Sequence, residues 1–167
     1  VKLIALHGKY GEGKFAIVDD DLFERLNQWR WHYHYHKSRR DNHCYACRGV
    51  KISKNKTKTI AMHQEIMNTP KGMKTDHKNN NNLDNRKYNL RICTDQQNQM
   101  NSLPSRGGTS KHKGVHWSKK YNRWIARVGI NRKKVFLGHF TSEVKAAKAY
   151  NRKAKELFGE YACLNSI

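Results

Sequence analysis

Acidic residues are scarce in this chain of 167 residues: 13 Asp and Glu stand against 34 Lys and Arg, for a formal charge of +21. Self-repulsion of that size opposes compaction, so the fold itself does not call for it. A polyanion accounts for it, because phosphates neutralise Lys and Arg and the released counterions drive binding. Long apolar runs are absent too. No stretch of about 18 apolar residues could span a bilayer, and no apolar signal segment appears. A membrane surface is therefore the weaker rival to nucleic acid, and the chain reads as soluble and intracellular. Proline is limited to Pro70 and Pro104. Cysteine is limited to four residues, and only Cys44 and Cys47 have CxxC spacing. A zinc knuckle of the paired-CxxC kind needs a second CxxC, which does not recur. Reduced thiols acting as small apolar side chains are the expectation, with structural zinc the minor alternative, and a reducing compartment disfavours a disulfide.

The length allows one domain or two small ones, each with a modest core. Residues 1–105 carry 19 basic and 10 acidic side chains, and residues 106–167 carry 15 and 3, so the positive excess is densest at the C-terminal end. "NSLPSRGGTS" (101–110) is a polar, Pro/Gly/Ser-rich linker between them.

In the N-terminal part, "KFAIV" (14–18) predicts a strand, and "DDDLFERLNQ" (19–28) a helix opened by Asp caps. "WRWHYHYH" (29–36) alternates strictly. It predicts a strand with Trp29, Trp31, Tyr33 and Tyr35 on a buried face and a basic face of Arg30, His32, His34 and His36. The exposed His could bind a metal, but a solvated or phosphate-facing strand is the plainer reading. "CYACRGVKI" (44–52) is its partner strand, "SKNKTK" (53–58) a basic turn, and "IAMHQEIMN" (60–68) a short helix ended by Pro70 and Gly72. After the linker, the pattern is β-β-β-α. "HKGVHW", "RWIARVGI" (123–130) and "KKVFLGHF" (133–140) are strands, the last two joined at Asn131-Arg132. Thr141 then caps a helix whose Val144, Ala147, Tyr150, Ala154 and Leu157 make one stripe, closed by Gly159. One face of the sheet takes the helix; the other is free and cationic.

The chemistry concentrates in "KTDHKNNNNLDNRKYNLRICTDQQNQMN" (74–101). It reads as strand, loop, strand, helix, with the loop held by Asn side chains that bond nearby backbone. Asp76 and His77 end the first strand, and Asn98 lies in the first turns of the helix. Phosphodiester hydrolysis needs an activated water, neutralisation of the phosphate charge and help for the leaving oxygen. Asp76 and Asn98 offer the oxygen ligands that magnesium prefers. His77, with an ordinary pKa near 6.5, can accept a proton from water. Neighbours in a strand point to opposite faces, which assigns Asp76 to the metal and His77 to the water.

"DHKNNNNLDNRKYNLRICTDQQNQMN", preceded by "MHQEIM", resembles the HNH endonuclease family, and within it the phage and intron-encoded homing endonucleases. The resemblance implies a ββα-metal fold over residues 60–101. It makes His77 the general base, Asp76 and Asn98 the metal ligands, and Asn89 the residue that braces the loop; Asn89 and His77 form the expected catalytic set. It implies a divalent metal, magnesium with manganese able to substitute, and no zinc. His63 matches a His upstream in this branch and is given a supporting role. The C-terminal segments "KGVHW", "RWIARV", "VFLGHF" and "AAKAYNRKAKELFGEYACLN" resemble the ethylene-response-factor (Apetala-class) DNA-binding domain of plants, which also occurs fused to HNH nucleases. That family lays its sheet in the major groove. Its contacting positions fall here on Lys113, His116, Ser118, Arg127, Lys134 and Phe136. Several family Arg and Trp are replaced at these sites, so the plant family's GC-rich target does not carry over.

The expectation is thus an α+β protein: an HNH unit over 1–100, a linker over 101–110, and a three-stranded antiparallel sheet packed on one helix over 111–167. It acts as a monomeric, site-specific nuclease that nicks double-stranded DNA, without a membrane partner, in the cytoplasm of a bacterial or phage-infected cell in association with the nucleoid. The rivals are a DNA-binding regulator with an inactive HNH domain and, third, an RNA-binding protein that stacks bases on Trp29–Tyr35.

Overall fold

The structure, a computed structural model, describes residues 1–37, 42–104 and 107–167. Residues 105–106 of the Ser/Gly-rich stretch and the side chain of His36 lie outside the described residues. The chain divides into two compact units, Val1–Asp95 and Gln96–Ile167. The division falls inside a helix, ahead of the 101–110 segment. No helix among the described residues is long and apolar enough to cross a membrane.

The first unit opens with an antiparallel pair, β1 (Lys2–Ala5) and β2 (Phe15–Val18), followed by α1 (Asp20–Asn27). β3 (His32–Lys37), β4 (Asn42–Ser53) and β5 (Lys56–Ala61) form an antiparallel sheet in that order, and α2 (Met62–Met67) follows directly. β6 (Lys74–His77) and β7 (Leu90–Cys93) pair antiparallel, and the 3-10 turn Lys87–Asn89 leads into β7. The core joins Ile4, Ala16 and Val18 of the first pair, and Leu6 just after β1, to Leu22 and Leu26 of α1, Trp31, Ala46 and Met62. The Trp31 indole, fully buried, donates to the Leu26 carbonyl at 2.8 Å, so its one polar atom is satisfied. α2 packs against β4, β6 and β7.

Several local expectations change here. β5 replaces the basic turn: the turn is confined to residues 54–55, and Lys56–Thr59 form an exposed edge strand whose outward residues are Lys and Thr. Such an edge discourages pairing with other chains. Of the four aromatics assigned to a buried face, Trp31 is buried and Tyr33 half-buried, but Trp29 is 44% exposed. Trp29 precedes the strand, and the Arg48 guanidinium lies 4.3 Å from its ring centre. Tyr35 is exposed as well. α2 stops at Met67, before Pro70 and Gly72, because Asn68 adopts a left-handed conformation (φ 46°). Asp19 occupies the N-cap position of α1 but makes no side-chain cap.

The second unit contains most of α3 (Asp95–Asn101), then β8 (Val115–Ser118), β9 (Arg123–Ile130) and β10 (Lys133–Phe140) in an antiparallel sheet of order β10-β9-β8, and α4 (Glu143–Phe158). Asn131 and Arg132 both have positive φ, the geometry of a two-residue hairpin that matches strand twist. α4 packs on the sheet through Ala146, Ala147, Tyr150, Ala154 and Phe158 against Val115, Ala126 and Val128. Phe158 is buried in this stripe, while Val144 is exposed and Leu157 only half-buried. Ser142, not Thr141, is the residue at the α4 N-cap. Gly114 (φ 74°) lets the chain pass against the ring of Tyr150; a Cβ there would come within 2.2 Å of it.

Candidate active site and candidate nucleic-acid interface

The loop from 78 to 89 is built from its own amides. Asn79 Oδ1 accepts from Asn81 N at 2.8 Å, and Asn81 Oδ1 accepts from Leu83 N at 3.2 Å. Asn80 takes a positive φ of 59°, a conformation Asn tolerates. Asn89, buried, closes the loop from both sides: its Oδ1 accepts from Asn79 N at 3.1 Å and its Nδ2 donates to the Asp84 carbonyl at 2.8 Å. Asp84 is buried, takes both Arg86 Nε (2.7 Å) and Nη2 (2.6 Å), and accepts from Asn79 Nδ2 (3.0 Å). The Arg86 hydrogen bonds hold its carboxyl below the usual carboxylate range.

The N-terminal hairpin fastens this loop. Ile17 N donates to the Leu83 carbonyl and Asn85 N to the Ile17 carbonyl, both at 2.8 Å. Asp19 Oδ2 accepts from Lys87 N at 2.7 Å, so the expected helix cap instead braces the loop 68 residues away. Burying so polar a segment is tolerable only because its donors and acceptors are paired in this way.

Asp76 and His77 end β6, in register with Arg91 and Leu90 of β7. Both are buried, at 6% and 3% exposure. Asp76 Oδ2 accepts from Arg91 Nε at 2.8 Å and lies 2.7 Å from Nη2. His77 Nε2 lies 3.4 Å from Asn85 Oδ1. Burial pushes the His77 imidazole below its ordinary value, against the Asn85 hydrogen bond and the charges of Asp76 and Asp84, which raise it. It is therefore neutral at pH 7. His63 of α2 meets His77 edge-to-face at 4.9 Å between ring centres, and Tyr45 of β4 lies 5.1 Å from His63 and 6.4 Å from His77.

The first unit thus brings Asp76, His77 and Asn89 into one loop-and-strand assembly. Asn98 is exposed on α3 and counts with the second unit. Asn85, Arg91, Tyr45 and Asp84 were not singled out by sequence reasoning. Asp84, Asn85 and Arg91 lie within the "DNRKYNLR" run (84–91) of the HNH resemblance, which gave them no role of their own, and Tyr45 carried no signal.

Among the described residues no group of three or more His, Cys, Asp or Glu is placed to hold an ion. Cys44 and Cys47 sit three residues apart on β4 and so point to opposite faces. Burial pushes the Cys47 thiol up to about 11.

In the second unit, Ala126 and Val128 face α4, so Ile125, Arg127 and Gly129 face away. Register places His116 beside Ile125, Ser118 beside Arg123, Phe136 beside Arg127 and Lys134 beside Gly129. The outer face thereby gathers His116, Ser118, Arg127, Lys134 and Phe136. Burial, then Arg127 and Lys134, push the His116 imidazole down. Lys113 departs from the set. Its ammonium donates to the carbonyls of Met100 (2.7 Å) and Ser102 (2.6 Å) and lies 3.3 Å from that of Gln99, where it satisfies the C-terminal end of α3.

Residues 68–100 match the family model described as HNH endonuclease. Over these residues the chain is similar to HNH endonucleases. The match covers the loop, both strands and nearly all of α3. Over 100 residues, 59% of the chain, the sequence is 36% identical to an uncharacterized HNH endonuclease, L560, of Acanthamoeba polyphaga mimivirus. Over 60 residues, 35% of the chain, it is 43% identical to APETALA2-like protein 2 of Oryza sativa, in both the indica and japonica subspecies. The chain spans 50% of the viral protein's length and 14% of each rice protein's. No solved structure matches it significantly.

Proposed function

We propose that this protein is a metal-dependent, homing-type HNH endonuclease that nicks duplex DNA, with an HNH unit over 1–100 and an Apetala-class sheet-and-helix module over 111–167 that chooses the site. The observation that carries the reading is His77: a buried, neutral imidazole held by Asn85 at the end of β6, within the segment that matches HNH endonucleases.

In the tautomer where Nε2–H donates to Asn85 Oδ1, Nδ1 is the basic nitrogen. It takes a proton from the attacking water as the new P–O bond forms, and the scissile P–O bond breaks with its electron pair leaving on the sugar oxygen. Asn89 acts through the loop, holding the backbone that carries His77. A divalent ion held by Asp76 and Asn98 would supply charge neutralisation on the phosphate and on the departing oxygen. Arg91 orients the Asp76 carboxylate and limits its charge in the buried site. The outer sheet face, with Arg127 and Lys134, is suited to lie on the duplex as other β-sheet readers do. One active site in a monomer cuts one strand at a time.

Plasmid cleavage tests this. A supercoiled plasmid carrying DNA that flanks the gene is incubated with wild type, His77→Ala and Asn98→Ala, in magnesium and in EDTA. Magnesium-dependent conversion to nicked circles, abolished by both substitutions, is the expected result. Linear product without a nicked intermediate would sink the monomeric nickase. The pairing of Asp76 with Arg91 favours a second reading, a duplex-binding regulator whose HNH unit is inactive. Binding without cleavage in every divalent metal would select it.

A further inference from the structure

We infer that the outer face of β8–β10 reads thymine in the major groove, with the Phe136 ring packed on a thymine C5-methyl group. This rests on the reading of residues 111–167 as a duplex-DNA module. Phe136 lies within β10 and is 51% exposed, a large apolar ring kept in water on the face away from α4. It is not isolated. His139 meets it edge-to-face at 5.0 Å, and Tyr121 lies 4.7 Å from His139. His139 also neighbours the buried Ile125 in register. The three rings form an apolar strip that continues the sheet outward.

The strip is set in a field of one sign. Residues 115–140 hold seven Lys or Arg and no Asp or Glu; the three acids after residue 105 are Glu143, Glu156 and Glu160, on or after the helix. Such a surface rejects an acid-poor protein partner and fits a polyanion. Within a polyanion, an apolar ring needs an apolar counterpart, and the major groove offers only the thymine methyl. Arg127, directly across from Phe136, stands ready for a neighbouring guanine edge or phosphate. The pairing of a ring with a guanidinium thus specifies a thymine next to a guanine or a phosphate, in place of an all-guanine site.

The full-length chain, in EDTA to prevent cleavage, is used to select duplexes from a random pool. At each thymine retained in the selected sites, deoxyuridine is substituted, which removes only the methyl. Wild type should retain at least one fixed thymine, and its Kd should rise about fourfold for loss of that methyl. Phe136→Ala should bind the deoxyuridine and thymidine duplexes equally; its exposure means that folding should survive, as a thermal melt can verify. The inference fails if deoxyuridine leaves wild-type affinity unchanged, or if Phe136→Ala keeps the full methyl dependence. Retention of duplexes without any fixed base overturns thymine reading but leaves the DNA module standing. Failure to retain duplex at all overturns the module reading and the inference with it.

Discussion

Acid should loosen the first unit through His63. This residue is 7% exposed, its Nδ1 has no hydrogen-bond partner among the described residues, and its ring is packed between those of Tyr45 and His77. Burial first, and the proximity of His77 second, push its imidazole down to about 3. The unfolded chain takes up this proton near the ordinary value of about 6.5, while the folded chain stays neutral. The folded pKa is depressed, so the contribution to stability is fully present above about pH 6.5 and declines as pH falls toward 3. One proton taken up only by the unfolded state costs about 1.36 kcal/mol per pH unit. Between pH 6.5 and 5 the loss from His63 is therefore about 2 kcal/mol. His77 is depressed in the same direction and steepens the decline. Hydrogen exchange of peptides covering α2 and β6 isolates this unit from the other. Wild type should lose protection between about pH 7.5 and pH 5 after correction for the intrinsic exchange rate. His63→Phe, which keeps a ring but cannot protonate, should lose about 2 kcal/mol less over the same interval. Parallel losses in the two proteins would refute the argument.

Three further outcomes can be checked. Arg91→Met leaves the Asp76 carboxylate buried without its guanidinium and should cost about 3–5 kcal/mol in urea unfolding; a cost below about 1 kcal/mol would show that the pair is not desolvated. Lys113→Met should lower the melting temperature of the second unit yet leave the salt dependence of DNA binding unchanged, because its charge is spent on α3 carbonyls, whereas Arg127→Ala should reduce the slope of log K against log salt by about one. Equal slope changes would return Lys113 to the interface. Gly114→Ala puts a Cβ against Tyr150 and the Arg127 carbonyl at positive φ, and should destabilise the second unit by on the order of 3 kcal/mol in a thermal melt.

Strand–loop–strand–helix at 74–101 was legible because short alternating runs flank a stretch too polar for any core, and Asn has few roles in such a stretch beyond bonding backbone. The β-β-β-α pattern was legible from period-two strands, a turn whose residues accept positive φ, and a helical stripe. β5 was not legible, since an exposed edge strand of Lys and Thr has the composition of a turn and becomes a strand only through pairing with β4. Trp29 looked buried because alternation was extended beyond the point where the strand begins.

The sequence by itself determined the cationic excess, the HNH resemblance and the candidacy of Asp76, His77, Asn89 and Asn98, because charge and residue chemistry are properties of the chain. Tertiary structure decided what each side chain is paired with. Asp19 could have capped its helix, but Lys87 N, 68 residues on, takes the carboxylate. Asn85 rather than Asp84 meets His77, and Lys113 turns from the sheet face to α3 carbonyls. A polar side chain has several partners open to it in sequence. Which one it takes depends on which donor or acceptor is brought within about 3 Å as the core closes, and that distance is set by residues far away in the chain.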